Sequence, residues 1–575
     1  MTTMLHRFFG RSQTSLSSAP SMELRKSVAR SATSPSVHGG LPDRVVNPAE
    51  LPLWQNNRTA TTGDIPMNQQ DRRVAAVLDC GKDGHLLLFA PSATTGRVLA
   101  GLEARLGALG VVYTRCATTV EVLEIVYDNQ AVPSTAAETK SDLSEGAMAP
   151  LLDVLLRKAH DLNASDIHIE VGPTRTCIQM RVHGDLQVVR HLSLLKGMAL
   201  SRHIFVNANS SGVDFKPEHF QDAKISKTLS IDGEVVNLEL RFADMPTWPA
   251  GHDVTLRVLR TGIGTAQSID SLGYDSAQQA AIERMLQTST GVIVMCGSTG
   301  SGKSTTLGSI IQALSDRHGG RKKIRTIEDP PELILPGRQT PIVRDTDGTS
   351  RGFAAALRGA MRGDPDIIMI GEVRDNETGE LAMDATMTGH KVLTTVHGGS
   401  VFDAVDRLIK KGFDRSVLFA EGTLSGVIYQ TLLPVLCQEC CMPLSQVRMG
   451  LQNGLNERLR RSYSGDLEDL RFRGPGCDAC GFNPIVGRTV AAAFLIPDRN
   501  LRQLLLNNDR FAAEEYWRTH DWSGIYAANG KTVLDQALTK MAAGLISPVD
   551  IEARVAPIDS QDAREPARFQ ARVVG

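Results

Sequence analysis

Apolar and polar positions change period several times along this chain, and each change marks an element. The runs Val74-Ala75-Ala76-Val77-Leu78 and His85-Leu86-Leu87-Leu88-Phe89 flank Gly81-Lys82-Asp83-Gly84, which is the pattern of a β-hairpin. Val98, Leu99, Leu102, Leu106 and Leu109 recur at helical spacing. A short strand near Val111 and a helix over 120–127 complete a small α/β unit. A second unit opens with a helix carrying Leu151, Leu152, Leu155, Leu156 and Ala159 on one face. In Ser165-Asp166-Ile167-His168-Ile169-Glu170 the isoleucines alternate with polar neighbours, as in a half-buried strand. Residues 177–182 and 186–189 flank His183-Gly184-Asp185 as another hairpin, and further strands are expected over 234–242 and 252–259.

Beyond residue 271 the pattern is that of a parallel α/β sheet. Val292-Ile293-Val294-Met295 reads as a buried strand, followed by a helix over 305–314. Three later β-prone stretches are bounded by polar residues: Thr326-Ile327-Glu328-Asp329-Pro330-Pro331-Glu332, Asp364 to Glu372, and Thr388 to His397. Val533, Leu534, Ala537, Leu538 and Met541 mark a closing helix. These readings divide the chain into a disordered tail (1–70), a small α/β domain (71–132), a linker (133–147) and a PAS-like α/β domain (148–260). A second linker (261–271), a parallel α/β domain (272–555) with a cysteine-bearing subdomain (430–490) and a tail (556–575) follow.

Composition narrows the class without naming it. At 575 residues, 42% hydrophobic and 22% charged, the chain is long enough for several packed domains. A formal net charge of −2 gives no general attraction to nucleic acid or anionic membrane. No apolar run reaches the length of a bilayer span, so membrane association requires a partner. The Ser-rich, basic first 40 residues lack the long amphipathic helix of a transit peptide. Cys80, Cys116, Cys177 and Cys296 stand singly in apolar surroundings, as buried hydrophobes do.

The candidate chemistry centres on Gly297-Ser298-Thr299-Gly300-Ser301-Gly302-Lys303-Ser304, with Thr305 next to it. This is the pattern G-x-x-x-x-G-K-[ST] between a strand and a helix. Its glycines let backbone N–H groups and the helix N-terminus close on phosphates. Lys303 is expected on the β- and γ-phosphates of ATP, and Ser304 on Mg²⁺. Ligands in parallel sheets lie beyond the carboxyl ends of the strands, so the three polar strand ends converge on this loop. Glu372 is expected to serve Mg²⁺ through water, Glu328 to orient the attacking water, and His397 to sense the γ-phosphate. Cys437-Gln438-Glu439-Cys440 and Cys477-Asp478-Ala479-Cys480 are two C-x₂-C knuckles, the donor set of a structural Zn²⁺, with Cys441 able to substitute for Cys440.

Together these stretches resemble the secretion ATPases of type II secretion and type IV pilus assembly, over roughly residues 151–554. The resemblance implies a hexamer of RecA-like domains in the cytoplasm, driven by ATP hydrolysis and acting on an inner-membrane platform protein. It also implies that arginines of the preceding domain complete the site, here Arg241 in Leu240-Arg241-Phe242 and Arg257 in Leu256-Arg257-Val258. Assembly and secretion members carry a tetracysteine module, which favours pilus assembly or secretion over retraction, and the divergent N-terminus leans towards a pilus system, a conjugative thin pilus included. Ala223 where Gly is expected, His252 where an acid is common, and a non-basic approach to the first knuckle depart from the pattern. Two other classes fit the loop: a DNA-directed translocase and a scaffold that binds ATP without turnover. With aromatics at 5% and no basic-aromatic stripe, direct nucleic-acid binding is not expected.

Overall fold

The computed structural model describes residues 44–560 apart from 46–50, 53, 55, 61–63, 69–70, 82–83, 91–94, 129–144, 209–213, 232, 262–266, 343–350, 448–453 and 481–482. Three main sheets follow one another along the chain. The first is four-stranded, β1 (Asn56–Asn57), β2 (Ala75–Asp79), β3 (His85–Phe89) and β4 (Tyr113–Ala117), in sequence order. Helices α1 (Thr95–Ala108) and α2 (Val120–Asp128) belong to it, and α1 buries Val98, Leu102 and Leu106 as the spacing requires. Leu109 lies past the end of α1 and is exposed.

The expected tail is shorter than 70 residues. Leu51, Trp54, Ile65 and Met67 are buried in the two cores of this first sheet, and β1 pairs with β2. Single large side chains fill these cores without a repeating pattern, so periodicity could not reveal them. Residues 1–43, like most of the first linker, lie outside the described residues.

The second sheet is six-stranded and antiparallel throughout, in the order β7-β6-β5-β10-β9-β8. Its strands are β5 (Asp166–Val171), β6 (Arg175–Val182), β7 (Asp185–Ser193), β8 (Gln221–Ile231), β9 (Glu234–Pro246) and β10 (His252–Thr261). Helices α3 (Glu145–Asp161) and α4 (Leu194–Val206) pack their apolar residues on the face formed by Ile167, Ile169, Leu240, Phe242 and Val254. The same face carries Asp244, a buried carboxylate that meets no side-chain donor. Burial pushes its pKa up to about 7, against the backbone N–H of Met245. A carboxyl whose folded pKa is raised binds its proton more tightly in the native state, so its contribution to stability is lost as pH rises from about 4 to 7. Asp244→Asn should therefore be the more stable protein at pH 8, by on the order of 2–4 kcal/mol, with a margin that shrinks towards pH 4. Denaturant melts at pH 4, 6 and 8 would show this, and a margin independent of pH would refute it.

The third sheet holds β11 (Gly291–Cys296), β12 (Ile324–Glu328), β13 (Arg338–Pro341), β14 (Ile367–Ile370), β15 (Lys391–Val396), β16 (Leu424–Leu436) and β19 (Ile485–Leu495). Its order is β13-β12-β14-β15-β11-β16-β19, with only β19 antiparallel to its neighbour. β11 is buried on both faces: Ile293 and Met295 meet α5 (Ser276–Gln287) and α6 (Lys303–Arg317). Val292 and Val294 belong to the core on the other face, with α7 (Arg351–Met361), α8 (Asn376–Met387), α9 (Val401–Lys410) and the helix Val533–Ala542. The cysteine-bearing insertion is narrower than 430–490. β16 and β19 are long paired strands of the main sheet, and only residues 437–484 leave it, with β17 (Met442–Pro443) and β18 (Arg471–Phe472) as a short pair. Ile558 is fully buried, so the packed chain runs past 555.

Among the described residues, polar contacts join the second and third sheets at two places. Arg241 Nη2 donates to the carbonyl of Asp329 at 3.0 Å. At another corner, Asp185, the first residue of β7, is held by Arg473 of the insertion (2.6 Å) and by Arg554, and Arg473 also pairs with Asp550. Gly184 (φ +95°) makes room for this second contact, since a Cβ there would lie 2.6 Å from Arg554 Nη1.

Candidate active site

The loop after β11 turns back on itself before α6 begins at Lys303. Gly297 (φ +152°) is essential to that turn, because a Cβ would sit 2.5 Å from both Gln430 O and Ser301 Oγ. Gln430 of β16 braces the loop by donating from Nε2 to Ser301 O at 2.8 Å and accepting from Thr306 Oγ1 at 3.2 Å. Ser298, Thr299 and Gly300 are exposed, Ser301 is buried, and Ser304 is exposed at the start of α6. Lys303 Nζ donates to the carbonyls of Gly297 and Ser298, both at 2.9 Å. Burial lowers the pKa of this amine, while Glu372 and Glu332 favour its charge.

The strand-end residues do gather at this end of the sheet. Glu328, the last residue of β12, is buried and accepts from Thr326 Oγ1 (2.6 Å) and Gln339 Nε2 (2.9 Å). Burial raises its pKa above the ordinary glutamate range despite those donors. Glu372 follows β14, and Thr395 of β15 ties the two strand ends by donating to Gly371 O at 2.6 Å. His397, just past β15, has Nε2 3.4 Å from Glu372 Oε1.

Arg374 was not singled out in the sequence, although it stands two residues after Glu372. Its Nε lies 2.9 Å from Glu372 Oε2 and its Nη1 2.9 Å from Asp329 Oδ2. Burial opposes its charge, but the two carboxylates prevail and its pKa is raised. Arg241 and Arg257 face each other in register on β9 and β10. Only Arg241 has a contact with this network; Arg257 Nε instead bonds Asp166 Oδ1 at 3.1 Å.

The cysteine module is a second constellation. Cys437, Cys440, Cys477 and Cys480 place their sulfurs within 4.8 Å of one another. The individual Sγ···Sγ distances are 3.8 Å (Cys437–Cys477), 3.9 Å (Cys440–Cys480) and 3.7 Å (Cys477–Cys480). A tetrahedron with Zn–S bonds of about 2.3 Å has edges of about 3.8 Å, so the donor set fits zinc. Cys441 stands apart from the four and contacts Gln438 O at 3.5 Å.

A parallel sheet with a phosphate-binding loop after an internal strand and acids at the neighbouring strand ends defines a P-loop nucleotide-binding protein. The family described as "Type II/IV secretion system protein" matches residues 141–547, and the chain belongs to that family of ATP-hydrolysing enzymes. The chain is 30% identical to the Type II secretion system protein E of Pseudomonas aeruginosa over 434 residues, 74% of this chain and 79% of the relative. It is 31% identical to the Type II secretion system ATPase E of Vibrio cholerae over 400 residues, 69% of this chain and 73% of that one. With the Type IV pilus assembly ATPase PilB of Thermus thermophilus it shares 30% over 414 residues, 69% of this chain and 43% of that protein. Among the described residues no helix is long and apolar enough to cross a membrane.

Proposed function

We propose that this chain is a RecA-like ATPase motor that powers type IV pilus assembly or type II secretion. In this reading it works as a homohexamer at the cytoplasmic face of the inner membrane, through a platform protein. The observation that carries the proposal is the convergence of Lys303, Glu328, Glu372 and His397 at one end of the third sheet, with Arg241 arriving from the second. Lys303 and the loop backbone hold the β- and γ-phosphates. Ser304 and Glu372 are the residues that would hold Mg²⁺, which screens phosphate charge when bound. Glu328, desolvated yet still an acceptor, orients the attacking water, and His397 reads the γ-phosphate through its link to Glu372. Arg241 and Arg257 complete the phosphate charge when the sheets close. The second sheet is the PAS-like domain of the division proposed above, and the four thiols hold a structural Zn²⁺.

Glu328 supplies the test. Its carboxylate form is the working one, so turnover should rise with pH through a pKa above the ordinary glutamate value. Glu328→Gln should lose that limb and lower kcat by about 10–100-fold, with ATP-analogue binding retained. Steady-state Mg-ATPase measured from pH 5 to 9, with and without DNA, beside analogue-binding titrations, reads all of this. An unchanged kcat would remove Glu328 from the chemistry, and strong stimulation by DNA would favour a translocase.

A further inference from the structure

We infer that Arg374 is a positioning residue for ATP turnover: it holds the Glu372 carboxylate in place and ties it, through Asp329, to the second sheet. This rests on the reading of Glu372 as the Mg²⁺-directed acid. The guanidinium spans two carboxylates with two different nitrogens, Nε to Glu372 and Nη1 to Asp329, each at 2.9 Å. Its third side is fixed by the buried ring of Phe353 on α7, whose centroid lies 5.4 Å from the guanidinium carbon. Lys411, at the end of α9, donates to its carbonyl. Three elements besides its own therefore set where Arg374 sits.

What it holds has little other support. Glu372 lies two residues past the end of β14, and among the described residues its side chain meets Arg374 and His397. A carboxylate on a strand extension samples several rotamers unless a partner fixes it. The planar fork of arginine can fix it while gripping a second acid, which a lysine ammonium cannot do in the same geometry. Asp329 is the hub: its side chain is buried and anchors Arg374, and its own backbone carbonyl receives Arg241 from β9. Contact between the two sheets thus ends, three hydrogen bonds on, at the acid of the nucleotide site.

The test uses the full-length chain and four variants: Arg374→Ala, Asp329→Asn, the double variant, and Glu372→Gln. Arg374→Ala should lower kcat by about tenfold while leaving Mg-free binding of a non-hydrolysable ATP analogue within about twofold. The gain in analogue affinity on adding Mg²⁺ should shrink by about fivefold, because the acid is no longer aimed. Asp329→Asn, which keeps the backbone carbonyl for Arg241, should reproduce part of the loss. The double variant should be no worse than Arg374→Ala, since both changes cut one chain of contacts. An Arg374→Ala kcat within about twofold of the parent, or losses that multiply in the double variant, would overturn the inference. If Arg374→Ala melts early, Asp329→Asn and its analogue binding decide alone: an unchanged Mg²⁺-dependent gain overturns the inference. Glu372→Gln separates the two levels. If it retains full turnover, the role of Glu372 itself is wrong and the present inference falls with it; if it is inactive while Arg374→Ala is not, only the positioning role is lost.

Discussion

Lys303→Ala should lose ATP turnover by about 10²–10³-fold, the scale of removing one preorganised charge donor from a transition state. The side chain is committed to the loop before any phosphate arrives, with its ammonium on the carbonyls of Gly297 and Ser298. Those carbonyls do not need the lysine for folding, because the loop is braced separately by Gln430 on Ser301. Alanine should therefore leave the fold and the melting temperature close to the parent while removing the cation proposed to meet the γ-phosphate. The measurement is Mg-ATPase activity of parent and variant beside circular dichroism melts. Turnover above about a tenth of the parent would mean that hydrolysis is carried elsewhere.

Cys477→Ser should weaken metal binding by more than about a hundredfold, whereas Cys441→Ser should leave it unchanged. The asymmetry comes from geometry: Cys477 lies within 3.8 Å of two other sulfurs, while Cys441 Sγ meets only a backbone carbonyl at 3.5 Å. Metal content by mass spectrometry, with a chromogenic chelator for affinity, checks both. One zinc per chain in the parent and in Cys441→Ser is the expected result. Loss of zinc in Cys441→Ser would show that the fourth donor has been misassigned. Because Arg473 lies within the same insertion, Cys477→Ser should also loosen its pairing with Asp185 and Asp550.

The parts of this site that were legible in the sequence are those built from contiguous residues. The phosphate loop, the acids at strand ends and the paired knuckles each occupy a few consecutive positions, and strand-loop-helix order alone brings them together. The parts that were not legible depend on partners far away along the chain. Arg374 is tied to the second sheet through Asp329, 45 residues earlier, and Arg241 bonds a residue 88 positions later. Gln430 stands in the stretch leading to the first knuckle, inside a 13-residue strand, and its place beside the phosphate loop comes from pairing with β11. The strand β8 carries Lys224, Ser226, Lys227 and Thr228 between its buried residues, which hid it from an apolar-run reading. Trp54 and Leu51 show the same limit at the start of the chain: isolated anchors leave no period.

The two contacts between the second and third sheets are unequal, and that inequality acts like carpentry. At Asp185, two arginines and a second, buried aspartate interlock side chain to side chain. At Asp329, the Arg241 guanidinium donates to a backbone carbonyl. One is built as a hinge pin and the other as a latch. A swing of one sheet against the other would pivot about the Asp185 corner and be widest at the Arg241 side, which is the side of the proposed nucleotide site.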